Sequence, residues 1–219
     1  MKPLFFALLV LLLSCHDHPS SPAKGKSRAS APAIALLPFT GMDTNTVNQL
    51  KTGLEAKLNV NVIILGHEAL PAASFYQPRQ RYIADQLLVF LRQHKPPVCR
   101  KIIGVTASDI STRKEPYANW GVMGLGYCPG QACVISSFRA KRGVKDRQHF
   151  IKRMIILAMH ELGHTFSLAH CKNTQCIMKD AEGKMNLDGG KDYCSSCTIV
   201  LRKAGILPPA ERFPIVMHN

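Results

Sequence analysis

Nothing in these 219 residues is long and apolar enough to read as a membrane-spanning helix. The apolar run at the start, Leu4 to Leu13, has ten residues, and a span needs about 20. Acid is scarce: 14 Asp and Glu stand against 28 Lys and Arg, for a formal net charge of +14. A basic balance favours anionic surfaces such as lipid headgroups or polyanions. The basic residues are dispersed, with Lys24, Lys26 and Arg28 in one stretch and Lys141, Arg142, Lys145 and Arg147 in another. No RNA- or DNA-binding motif accompanies them, so no nucleic-acid partner is expected. Internal repeats are absent too, which excludes a solenoid or propeller.

What the start does contain is Met1-Lys2-Pro3, then Leu4 to Leu13, then Ser14-Cys15. A basic residue before a short apolar run reads as an export signal. Leu12-Leu13-Ser14-Cys15 resembles a bacterial lipobox, in which Cys15 is the lipidated first residue of the mature chain. The simpler reading is a signal peptide cleaved nearby, with Cys15 incidental. The lipobox reading divides the chain into a signal at 1–15, a Ser-, Pro- and Lys-rich tether at 16–32, and one domain at 33–219. It predicts an exported, membrane-anchored lipoprotein of the bacterial cell envelope, monomeric, held to its membrane by the lipid.

Ala33 to Leu37 reads as a buried strand, and Val47, Leu50, Leu54 and Leu58 as the apolar stripe of a helix, with Asp43 or Thr44 as its N-cap. Val60 to Leu65 is a second strand. Tyr82, Ile83, Leu87, Phe90 and Leu91 mark a second helix, stopped by Pro96-Pro97. Ile102 to Thr106 is a third strand. This alternation predicts parallel pairing. Gly121 to Tyr127 and Ala132 to Phe138 read as a hairpin around Cys128-Pro129-Gly130-Gln131, which makes the glycine-rich first run an antiparallel edge strand. From about Val144 a helix follows, with Ile151, Ile155, Ala158, Met159 and Leu162 as its buried face.

That helix carries His160-Glu161-Leu162-Gly163-His164. Residues four apart share a helix face, so both imidazoles can reach one zinc ion, with Glu161 beside it. His170, about 600° further round, cannot join them unless the helix stops and the chain doubles back. Three neutral imidazoles leave a zinc one open position for water. A zinc-bound water activated by Glu161 would attack a peptide carbonyl, and Glu161 would pass the proton to the leaving amine. The bland reading is two core histidines and a helix-capping Glu.

This run resembles the metzincin metallopeptidases, whose pattern is HExxHxxGxxH followed by a methionine in a tight turn. More narrowly it resembles the archaemetzincins, with His170-Cys171, Cys176-Ile177-Met178 and Cys194-Ser195-Ser196-Cys197 in the family's spacing. The resemblance extends over roughly 33–205. It implies that His160, His164 and His170 bind a catalytic zinc, that Glu161 is general base and acid, and that Met178 lies beneath the metal. It also implies a second, structural zinc on Cys171, Cys176, Cys194 and Cys197, and hence two zinc ions. Two close pairs of thiolates suit a closed tetrahedral site, although disulfides are possible in an exported protein. Cys128 and Cys133 flank the hairpin turn, where a disulfide would brace it. Cys99 is left as a buried thiol.

The fold expected is α+β: a twisted, mostly parallel sheet with one antiparallel edge strand, packed on helices, with a small zinc-bound C-terminal part ending in a helix over about 196–204. The function expected is a zinc metallopeptidase acting on a peptide or protein. The rival is a zinc-binding envelope module without catalysis. Peptide backbone would pair with the glycine-rich edge strand. One position departs from the metzincin pattern: Ser167 stands where a glycine turns the chain, at a cost of roughly 1 kcal/mol.

Overall fold

The computed structural model describes residues 31–180, 187–189 and 192–209. Cys15, the signal and residues 16–30 of the tether lie outside the described residues. The chain opens with β1, Ala33–Pro38, whose apolar run is buried almost throughout. Asp43 then caps α1, Thr44–Lys57, accepting from the backbone N–H of Asn45 and Thr46 at 3.1 Å each. Val47, Leu50 and Leu54 face inward as their spacing predicts. Parallel to β1 runs β2, Asn61–Ile64, in register Ala35↔Ile63.

The next stretch differs from the sequence reading. Tyr82 and Ile83 are not helical; they sit in β4, Arg81–Ile83, antiparallel to β3, Phe75–Tyr76. An aromatic beside a β-branched residue suits extended backbone. Helix α2, Ala84–His94, begins only after them and buries Leu87, Leu88 and Leu91. It ends before Pro96, as a helix should. Strand β5, Lys101–Thr106, lies between β1 and the later segment Ala132–Ser136, parallel to both.

Two antiparallel strands follow, β6 over Ile110–Lys114 and β7 over Tyr117–Val122. With β3 and β4 they form a second sheet, ordered β3-β4-β6-β7. The expected edge strand is therefore split. Gly121 and Val122 belong to this second sheet, and β8 is only Gly124–Gly126. It pairs antiparallel with β9, Ala132–Ser136, Gly126 facing Cys133. The main sheet runs β2-β1-β5-β9-β8, three parallel pairings and one antiparallel edge. A short α3, Ser137–Ala140, leads to the long α4, Arg147–Thr165, capped by Asp146 through His149 N–H at 2.8 Å.

Helix α4 buries more of its circumference than the stripe read from sequence. Met154, Leu157, Ala158, Met159 and Leu162 are inside, while Ile151 and Ile155 are only partly covered. It packs between α1, the main sheet and the C-terminal segment, so few of its faces see water. The last helix, α5, is Ser195–Lys203, one residue from expectation. The sheet's two faces carry separate cores, one against α1 and α4 and one against α2. Among the described residues no helix is long and apolar enough to cross a membrane.

Candidate metal centre

His160 and His164 project from the last turns of α4, with their Nε2 atoms 3.1 Å apart. Each ring is turned by its far side. His160 Nδ1 lies 2.7 Å from the Ile177 carbonyl, and His164 Nδ1 2.7 Å from that of Leu168. A carbonyl only accepts, so both Nδ1 atoms carry the proton and both Nε2 lone pairs are free. Burial pushes His160 down to about 4 and His164 below its usual value, which keeps both rings neutral.

The chain doubles back as the third histidine requires. Phe166 closes α4, and Ser167 adopts φ 71°, the left-handed conformation. Leu168 N–H bonds to the Gly163 carbonyl at 3.1 Å and Ser167 N–H to that of His164 at 3.0 Å. These are the paired bonds of a Schellman turn. His170 then returns, its ring centroid 5.5 Å from that of His160 and 4.9 Å from that of His164. The three candidate ligand atoms lie within 4.8 Å of one another. In a tetrahedral zinc site the nitrogens stand about 3.3 Å apart, so the donor set and its spacing fit that ion.

His170 Nδ1 faces Asp180 Oδ2 at 3.3 Å. Sequence reasoning missed Asp180. The available signal was an acidic residue two positions after Met178, close in the chain to a ligand that must hold its ring steady. Met178 is completely buried beneath α4. A Cβ on Gly163 would stand 2.6 Å from the Met178 sulfur, so only glycine lets the methionine approach.

Glu161 is buried beside the imidazoles, and burial pushes its carboxyl up to about 8 although Gly126 N–H bonds to it. The glycines of β8 are spent on this residue. A Cβ on Gly124 would meet the Glu161 carboxyl at 2.6 Å, and one on Gly126 would meet the Glu161 carbonyl at 2.6 Å. Their close neighbour in the structure is therefore α4.

Cys171, Cys176, Cys194 and Cys197 form the second cluster, all four sulfurs within 4.8 Å. Cys171 to Cys194 is 3.7 Å and Cys176 to Cys197 is 3.8 Å. A disulfide needs about 2.05 Å, whereas the edge of a zinc–sulfur tetrahedron is about 3.8 Å. The geometry is that of ligands. The cluster is stitched to the imidazoles: Cys171 N–H bonds to the Met178 carbonyl at 2.8 Å, and Tyr193 Oη donates to the Met159 carbonyl at 2.7 Å. Backbone N–H bonding holds the Cys194 thiol down at about 7.

The expected brace between Cys128 and Cys133 is absent, and both are free thiols. Cys133 faces the core from β9, whereas Cys128 is exposed beyond β8. Cys99 is a buried thiol as expected. A cleft of about 780 Å³ opens over the imidazoles, with Trp120, Val122, Met123 and Leu187 among its walls.

Convergent neutral imidazoles at the floor of an open cleft, with a carboxylate alongside, define the class of zinc-dependent hydrolases. Comparison with known proteins narrows this. Residues 35–203 match the model of peptidase family M54, and the chain belongs to that family, the archaemetzincins. It is 27% identical to the archaemetzincin of Haloquadratum walsbyi over 176 residues, 77% of this chain and 98% of the relative. It is 32% identical to that of Methanopyrus kandleri over 135 residues, 61% of this chain and 73% of the relative. The crystal structure of the Methanopyrus kandleri protein aligns with a TM-score of 0.68 at 26% identity, covering 80% of this chain and 96% of that one. That of the Archaeoglobus fulgidus protein, complexed with malonate, gives 0.63 at 24%, covering 77% and 99%. The chain is a zinc metallopeptidase with a peptide or protein substrate.

Proposed function

We propose that His160, His164 and His170 hold the catalytic zinc, that Glu161 moves the proton, and that a second zinc on Cys171, Cys176, Cys194 and Cys197 is structural. The observation that carries this is the convergence of the three imidazoles next to a buried carboxylate at the cleft floor. When bound, zinc supplies Lewis acidity, acidifying water and polarising the scissile carbonyl. Glu161 takes the proton at a carboxyl oxygen and delivers it to the leaving amine. Burial raises its affinity for that proton, which suits a group that must accept and then release one near neutral pH. Met178 supports the floor, and Gly124 and Gly126 keep the carboxyl close under the sheet edge. An extended substrate would add to the outer edge of β8.

Glu161→Gln is expected to lower hydrolysis of a mixed peptide library by a factor of about 10²–10⁴ while metal content stays the same. Undiminished hydrolysis would disprove the assigned role.

The same reading places the enzyme on a membrane of the cell envelope, lipidated at Cys15 and acting as a single chain. It rests on Leu12-Leu13-Ser14-Cys15 after an apolar run. Cys15→Ala should move the protein from the membrane to the soluble fraction; an unchanged distribution refutes the anchor.

A further inference from the structure

Charge in the cleft is unbalanced. Its basic lining residues are Lys114, Arg139, Arg142 and Lys179, and its acidic ones among the described residues are Glu161 and Asp180. Both acids are engaged: Glu161 is buried under β8, and Asp180 faces His170. The bases are not neutralised to match. Asp109, itself buried, accepts from Arg139 Nε at 2.7 Å and Nη2 at 2.9 Å, and also from Arg81 Nε at 2.8 Å. Two guanidiniums share one carboxylate, so one positive charge is left over. Arg139 is held by its two bonds to Asp109, and Gly121 makes room for it: a Cβ there would lie only 1.9 Å from its Nη2. A glycine stands where the guanidinium enters the cleft wall. Lys114 stands 5.6 Å over the Trp120 ring, and Arg142 lies 5.6 Å from that of Phe138. Aromatic faces hold these cations without cancelling their charge. Neither these two nor Lys179 has a carboxylate partner among the described residues.

We propose that this cleft selects acidic peptide segments, with Lys114, Arg139, Arg142 and Lys179 reading carboxylates of the bound chain. The proposal rests on the peptidase reading for the kind of polymer and adds its charge. A peptide is favoured over other polyanions by the surroundings of the cations. They line the same cleft as β8, a sheet edge that can pair with an extended backbone, and the apolar walls at Val122, Met123 and Leu187 suit side chains between acidic positions. In such a cleft, fields from fixed cations add, and a zinc ion adds to them.

The test uses the full chain carrying Glu161→Gln, zinc-loaded, titrated with fluorescent peptides of one length. Their apolar residues are shared, and they differ in having Glu, Gln or Lys at the flanking positions. The Glu peptide is expected to bind roughly three- to tenfold tighter than the Gln peptide at low salt, with the gap closing at high salt. Lys114→Glu combined with Lys179→Glu is expected to shift the preference towards the Lys peptide. Equal affinities, a preference that ignores this charge reversal, or displacement of the Glu peptide more effectively by single-stranded DNA than by unlabelled Glu peptide would each overturn the proposal. Hydrolysis of the same peptides by the unmutated chain is scored separately. Its absence counts against the peptidase reading, while the binding order alone decides charge selection.

Discussion

His170 and Cys171 are neighbours in the chain, yet the clusters they join are built in opposite ways. The imidazole group opens onto the cleft, and the His170 side chain is 47% exposed. The thiol group is more enclosed, with Cys176 at 2% and Cys197 at 7% and with Cys171 and Cys194 half-buried. Four thiolates complete a zinc coordination shell, whereas three imidazoles leave one position for chemistry. The supports differ as well. Two of the thiols are placed by backbone pairing, Cys171 against Lys179 and Cys176 against Asp192, and two by the start of α5, with Cys194 at its N-cap and Cys197 in its first turn. The imidazoles are placed by a helix, a turn and three hydrogen-bond acceptors. A closed cluster can thus fix the segment that delivers the third ligand of an open one.

The largest effect should come from striking the closed cluster. On the proposed assignment, Cys197→Ser removes a buried ligand from a site type whose metal contributes about 10–16 kcal/mol in zinc-finger peptides. Elemental analysis should show one zinc lost per chain, thermal unfolding should begin much earlier, and hydrolysis should fall because His170 is no longer positioned. Normal zinc content and an unchanged Tm would show that the thiols hold no metal and that the comparison is wrong.

Asp180→Asn strikes the open cluster only. His160 and His164 lean on backbone carbonyls that no substitution removes, while His170 leans on a side chain. Loss of an outer carboxylate of this kind lowers metal affinity roughly 10–100-fold. A chelator titration should show one zinc released at correspondingly lower chelator, with the second unmoved. If both zinc ions leave together, the clusters are one mechanical unit and the contrast between them has to be redrawn.

The parts of this architecture legible in the sequence are those written in local spacing. Histidines four apart, the cysteine pairs, and the apolar stripe of α1 follow from helix period and ligand geometry. The second sheet was not legible, because β3, β4 and β6 are short and hold together by pairing across the chain, as in Tyr82↔Ile110. Helical spacing through Tyr82 and Ile83 therefore misled. The glycine-rich run was legible as a sheet edge, but not that its glycines make room for Glu161, about 35 residues later in the chain. Asp180 and the shared Asp109 depend on turns that bring distant segments together, and no periodicity announces them.

The smallest effect tests the joint between the two clusters. Ser167 bears φ 71° in a turn whose two backbone bonds are already made, so its only penalty is that of a side chain in left-handed backbone. Glycine removes that penalty, worth about 1–2 kcal/mol, but gains roughly 0.5–1 kcal/mol of freedom in the unfolded chain. Ser167→Gly should therefore raise stability by up to about 1.5 kcal/mol, a Tm increase of up to about 3–6 °C for a chain of this size. Ser167→Val, β-branched at the same φ, should lower Tm. Both shifts should appear in metal-free protein as well, because the strain belongs to the turn and not to the ligands. If Ser167→Gly leaves Tm unchanged but tightens binding at the imidazole cluster, the turn is formed only when metal is bound. His170 would then be recruited by the ion instead of being presented to it.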